Sequence, residues 1–127
     1  MIRSLHGRRA LVVEDEMMVL MNIEYMLSDL GCATIFAAST VESALAIVAT
    51  EGVDFAILDV NLEGQPSYAV ADALVPREIP FVFSTGYSDN RIEARFADRP
   101  IVKKPYSEKD LAAALAGLLH AAPQVPS

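Results

Sequence analysis

Short apolar blocks alternate along the chain with segments whose apolar positions recur at helical spacing. Ala10-Leu11-Val12-Val13 reads as a buried strand, and Met17 to Leu30 as a helix stopped by Gly31. Ala33 to Ala37 reads as a second strand, and Ser39 or Thr40 can cap a helix over Val41 to Thr50, with Glu42 in its first turn. Phe55-Ala56-Ile57-Leu58 is a third strand, Asn61 to Pro66 a polar loop, and Ser67 to Val75 a helix ending before Pro76. Phe81-Val82-Phe83-Ser84 is a fourth strand, Asp89 to Phe96 a short polar helix, and Ile101-Val102 a fifth strand. Ser107 opens a last helix with Leu111, Ala114, Leu115 and Leu118 on one face.

Five strands alternating with five helices imply a doubly wound α/β fold, a parallel sheet covered on both faces. The strands are apolar throughout rather than alternating, as burial on both faces requires. In such open sheets the working site lies outside the carboxyl ends of the strands. Residues 8–120 form the expected domain, residues 1–7 an N-terminal extension and residues 121–127 a Pro-containing tail.

Composition narrows the class. The 127 residues are enough for one core, 53% are apolar, and no apolar run reaches the roughly 18 residues needed to cross a bilayer. No apolar stretch follows the basic residues at the N-terminus, so no secretory signal is expected and the chain is assigned to the cytoplasm. The single Cys32 has no internal disulfide partner, and no Cys/His cluster has zinc spacing. Ten basic against seventeen acidic residues give a net charge of −7 without a basic stripe. That balance argues against nucleic acid and for a protein partner or a divalent cation.

The strand ends carry the chemistry. The first ends in Glu14-Asp15-Glu16, the third in Asp59, the fourth in Ser84-Thr85-Gly86 and the fifth in Lys103-Lys104-Pro105. In this topology those ends converge. Clustered carboxylates repel unless a cation sits among them, and an all-oxygen ligand set suits magnesium. A carboxylate beside that ion is a competent nucleophile toward a phosphoryl group, with a lysine and a hydroxyl to receive the charge.

The segments Leu11-Val12-Val13-Glu14-Asp15-Glu16, Ile57-Leu58-Asp59-Val60-Asn61-Leu62, Phe83-Ser84-Thr85-Gly86-Tyr87 and Lys104-Pro105 resemble the four signatures of the response-regulator receiver family. The resemblance covers residues 8–119. It implies the flavodoxin-like strand order 2-1-3-4-5, which is a family-level example of that fold. It implies magnesium held by Glu14, Asp15, Asp59 and the backbone carbonyl of Asn61. Asp59 is then the phosphoacceptor from a histidine kinase or a histidine phosphotransfer protein. Thr85 and Lys104 bind the phosphoryl oxygens, and the peptide before Pro105 is expected to be cis. The implied protein is a cytoplasmic signalling module, a monomer or weak dimer, with self-catalysed phosphoryl uptake rather than enzymatic turnover.

Several positions depart from the common receiver pattern. Glu14 stands where Asp is usual, and its longer arm allows contact with the ion through water. The loop after Asp59 lacks the usual Met-Pro. Ile101 occupies the place of the switch aromatic, three residues before the lysine, so the readout through a turning ring has no ring to turn. The run Pro80 to Tyr87 resembles a subgroup of single-domain alphaproteobacterial receivers with a Phe-Ala-Thr-Gly-Tyr-like motif, though Ser84 replaces the Ala. That subgroup is associated with general stress signalling. Tyr87 and the helix after it are the candidate readout.

On the first helix, Val19, Ile23, Met26, Leu27 and Leu30 form one side at 100° per residue, while Met17, Met18, Met21 and Tyr25 lie opposite. Methionine is adaptable and recurs at binding surfaces. By resemblance this helix docks the bundle bearing the donor histidine, which makes Met17, Met18 and Met21 candidate kinase contacts.

Rival chemistries meet specific obstacles. A haloacid-dehalogenase-type phosphatase resembles Asp-x-Asp, whereas Asp59-Val60-Asn61 offers a neutral amide where the acid/base belongs. A flavodoxin-like cofactor binder needs a Ser/Thr/Gly-rich loop where Glu14-Asp15-Glu16 stands, and no P-loop is present. A phosphate sink, or a receiver excised from a hybrid kinase or transcription factor, remains compatible with the sequence. The opening methionine and the fourth-strand motif favour a stand-alone regulator.

Overall fold

The computed structural model describes residues 5–62, 64–86 and 92–121, with side chains as far as Leu119. In chain order the elements are β1 (Arg9–Val13), α1 (Met17–Asp29), β2 (Thr34–Ala38), α2 (Val41–Thr50), β3 (Phe55–Asp59), β4 (Asn61–Leu62), β5 (Gln65–Pro66), α3 (Tyr68–Leu74), β6 (Phe81–Thr85), β7 (Ile101–Lys103) and α4 (Glu108–Ala121). The main sheet is parallel in the order β2-β1-β3-β6-β7. Counting its strands alone, that is 2-1-3-4-5.

Burial follows from position. Every residue of β3 and β6 is buried, because both strands are flanked by neighbours and covered on each face. Leu11, Val13, Ala56, Leu58, Phe81 and Phe83 point into the layer under α2 and α3. Ala10, Val12, Phe55, Ile57 and Val82 point the other way, under α1 and α4. The period-2 alternation of a strand thus feeds two separate cores.

Local signals set the helix ends. Thr40 and Ser43 form a reciprocal capping box at the start of α2. Ser107 and Asp110 exchange backbone-to-side-chain bonds of 3.1 Å each at the start of α4. Gly31 takes φ +106 after α1, a conformation that residues with a Cβ avoid. The loop after β3 contains a two-residue hairpin, β4 with β5, turning through Gly64 at φ +85.

Two expectations need correction. A helix over Asp89 to Phe96 is not found in the described part of that segment, which has only a 3-10 turn at Ala94–Phe96. Four α-helices are therefore described rather than five. Glu93 is the reason, with ψ at 145 and its N–H donated to the Tyr68 hydroxyl at 3.1 Å instead of to a helix turn. On α1 the core side is Leu20, Ile23, Met26 and Leu27, while Val19 and Leu30 are only partly buried at its margins.

Leu5, in the stretch read as an extension, is fully buried in the core layer that also holds Leu118 and Leu119 of α4. Cys32 is partly buried against that layer, where burial and then Asp54 push its thiol up to about 11. Among the described residues no helix is long and apolar enough to cross a membrane.

Candidate functional site

The parallel register brings the carboxyl ends of β1, β3, β6 and β7 together. Asp59 lies opposite Ser84, and Thr85 opposite Lys103. Glu14 continues β1, its N–H donating to the Ala38 carbonyl at 2.9 Å. Glu14 and Asp59 are buried, whereas Asp15 is partly exposed. Ligand atoms of Glu14, Asp15 and Asp59 lie within 4.8 Å of one another.

Among the described residues one cation reaches into this group. Lys104 Nζ is 2.9 Å from Glu14 Oε1, as an ion pair, and donates to Asp59 Oδ2 at 3.3 Å. Its backbone N–H donates to the Thr85 carbonyl at 2.7 Å, so strand pairing fixes the lysine against β6. The Lys104–Pro105 peptide is cis. Glu16 N–H donates to Glu14 Oε2 at 3.1 Å, and Asn61 N–H to Asp59 Oδ1 at 3.4 Å, a long contact.

The electrostatics show how hard one lysine must work. Burial first, then the Glu14 charge, raise the Asp59 carboxyl from 3.8 to about 7, although Lys104 pulls the other way. Burial alone would lower Lys104, but the Glu14 and Asp59 carboxylates outweigh it and raise its pKa. Of the three clustered carboxylates the Lys104 ammonium pairs with two, Glu14 and Asp59, which leaves the cluster short of positive charge. A hard divalent cation with oxygen ligands fits that deficit, and Glu14, Asp15 and Asp59 supply the donor set.

Thr85 Oγ1 is buried and has no hydrogen-bond partner among the described residues. A buried hydroxyl held this way at the end of β6 has its donor available for an incoming oxygen. Ile101 is 44% exposed on the edge strand β7, away from the carboxylates' buried core. Tyr87 lies outside the described residues. Met17, Met18, Met21 and Tyr25 are 65%, 80%, 55% and 69% exposed, an apolar strip beginning two residues after Asp15.

Sequence reasoning missed two side chains near the site. Tyr106 is partly buried with its hydroxyl 3.5 Å from Ser84 Oγ, and burial raises its pKa. Tyr68 packs on Phe83 and Phe96 across the opposite face of β6. Tyr106 follows the Lys-Pro pair directly, which was an available signal. For Tyr68 there was none, because its partners are far away in sequence.

The response regulator receiver domain model matches residues 10–116. No curated protein matches the chain. Among solved structures, the solution structure of SdrG from Sphingomonas melonis Fr1 is 47% identical with a TM-score of 0.81, covering 88% of this chain and 96% of that one. The BeF3-activated conformation of SdrG from Pseudomonas melonis Fr1 is 45% identical with a TM-score of 0.77, covering 90% and 98%. The receiver domain of PhyR from Erythrobacter litoralis shares the fold at 23% identity, with a TM-score of 0.81 and 98% of each chain covered. The order of the strands, the carboxylates at their ends and this match over most of the length agree, and the chain belongs to the response regulator receiver domain family.

Proposed function

We propose that this receiver takes up a phosphoryl group on Asp59 from a phosphohistidine of a histidine kinase or phosphotransfer protein, and signals by protein contact. The observation that carries the reading is the single lysine shared by Glu14 and Asp59 within a three-carboxylate cluster. Magnesium bound to Glu14, Asp15, Asp59 and the Asn61 carbonyl would neutralise the carboxylates and the transferring phosphoryl group. Asp59 attacks phosphorus, the bond from phosphorus to the histidine nitrogen breaks, and an acyl phosphate forms. Lys104 is already in contact with Asp59 and moves little to hold a phosphoryl oxygen. Thr85 supplies the second donor. Asn61 has no acid/base proton to offer, which supports slow loss of the phosphoryl group rather than turnover.

The exposed strip of Met17, Met18 and Met21 adjoins the crevice and suits a helical donor bundle. A phosphate sink would need only the acceptor. A switch must also change its affinity for a target, and moving a population from 1:99 to 99:1 takes about 5.5 kcal/mol.

The test is labelling by acetyl phosphate with magnesium in wild type and Asp59→Asn. Labelling of wild type alone, with a change in partner affinity, supports the reading. Label retained by Asp59→Asn removes Asp59 as acceptor, and labelling without any affinity change favours the sink.

A further inference from the structure

The chain has five methionines, and three of the four described ones lie on one face of α1. Methionine is among the residues most often buried. Yet Met17, Met18 and Met21 are exposed, Met18 to 80%, while Met26 of the same helix is buried. At about 100° per residue the three fall within an arc of about 100°, on the side away from Leu20, Ile23 and Leu27. Met21 comes three residues after Met18 and four after Met17, the spacings that make neighbours on a helix surface. Their side chains therefore form one thioether-rich patch open to solvent, continued by the exposed Tyr25.

The other described sulfurs are less open to an oxidant. Met26 is 4% exposed within the core layer under α1. Cys32 is partly buried, and burial and then Asp54 push its thiol up to about 11. Little of the reactive thiolate is left at neutral pH, so Cys32 competes poorly for a peroxide. Met1 lies outside the described residues.

We propose that Met17, Met18 and Met21 are a reversible oxidation site, at which a hydroperoxide shuts off docking of the histidine donor and leaves the acceptor crevice intact. The inference rests on the reading of this strip as the donor's docking surface. The thioether sulfur attacks the terminal oxygen of the hydroperoxide and the O–O bond breaks. The proton on the transferred oxygen passes to the departing one. The products are a sulfoxide and water or an alcohol; sulfur gives up two electrons and the peroxide takes them. Two thiols of a methionine sulfoxide reductase reverse the step, becoming a disulfide and releasing water. The sulfoxide is polar and accepts hydrogen bonds, where the thioether was an adaptable apolar contact. Buried against an apolar helical surface, its oxygen loses water without gaining a donor, and the interface weakens. The modification adds no charge to the carboxylate cluster, so the acceptor chemistry is spared.

The test uses a purified histidine kinase that labels wild type, with acetyl phosphate as a small donor that needs no docking. Wild type is treated with hydrogen peroxide, and catalase removes the peroxide before the kinase is added. Peptide mass spectrometry should find oxygen at Met17, Met18 and Met21 ahead of Met26 and Cys32. Transfer from the kinase should fall about tenfold, while labelling by acetyl phosphate stays within about twofold. Methionine sulfoxide reductase with a dithiol should restore the kinase rate. The triple variant Met17→Leu, Met18→Leu, Met21→Leu is compared with itself: its kinase rate, whatever the starting value, should be the same before and after peroxide. An equal fall in the triple variant, or a wild-type kinase rate that survives full oxidation of the three residues, overturns the proposal. Failure of the underlying reading shows separately: a kinase rate for Met21→Glu equal to that of wild type removes the docking surface, and its regulation with it.

Discussion

Lys104 Nζ lies nearer to Glu14, at 2.9 Å, than to Asp59, at 3.3 Å. The buried glutamate thus competes with Asp59 for the same ammonium. Glu14→Gln should hand the lysine to Asp59 and remove the charge that pushes Asp59 up. The Asp59 carboxyl should then titrate below about 7, seen by carbon-detected NMR. Magnesium affinity should fall on the order of tenfold or more, as loss of a ligating or ligand-orienting group does. Unaltered magnesium affinity would remove Glu14 from the ligand set.

The raised Asp59 makes stability depend on pH in a defined direction. Its folded pKa of about 7 exceeds the ordinary 3.8, so the folded state holds a proton that the unfolded chain has already lost. Without divalent cations, the contribution of Asp59 to stability should be fully present below about pH 4 and be lost as pH rises toward 7. Urea midpoints between pH 4 and pH 8 in a chelator measure this. Asp59→Asn should flatten the decline and raise the melting temperature at pH 8, by about 4 °C for each kcal/mol of repulsion removed. Added magnesium should flatten it in wild type. A midpoint that rises over this range would contradict the assignment.

Met21→Glu places a negative charge on the exposed strip of α1 without touching the carboxylates. Phosphoryl transfer from a kinase should slow about tenfold or more, as for a central interface residue, while transfer from acetyl phosphate stays within about twofold. Equal slowing of both would mean that the strip does not dock the donor.

Leu5→Ala should destabilise the fold by about 2–5 kcal/mol, the cost of truncating a fully buried leucine. Denaturant unfolding measures it. A loss under about 0.5 kcal/mol would show that residues before β1 contribute little to the core.

The fold was written in local pattern wherever the pattern was strong. Apolar strands bounded by turns, the Thr40 cap and the stop at Gly31 were all readable because each depends on neighbours in sequence. The site residues could be named because a parallel sheet gathers its strand ends at one edge. What local pattern could not give was any choice made across the fold. Residues 92–96 have helix-compatible composition, but Glu93 spends its N–H on Tyr68, twenty-five residues earlier. Leu20 rather than Val19 faces inward because the rotation of α1 is chosen by its packing on the core layer, and one residue alters that angle by about 100°. Leu5 lacks any periodic neighbours, so nothing before β1 announced it as core.

The layer that holds Leu5 also holds Leu118 and Leu119, and α4 runs back against the direction of the strands. The first described residues and the last turn of α4 therefore leave the domain on the side away from Asp59. Anything attached at either point, whether a surface linker, a fluorophore or a neighbouring domain, hangs behind the crevice rather than over it. Tethered through either end, the molecule still presents its carboxylates to whatever approaches from solution.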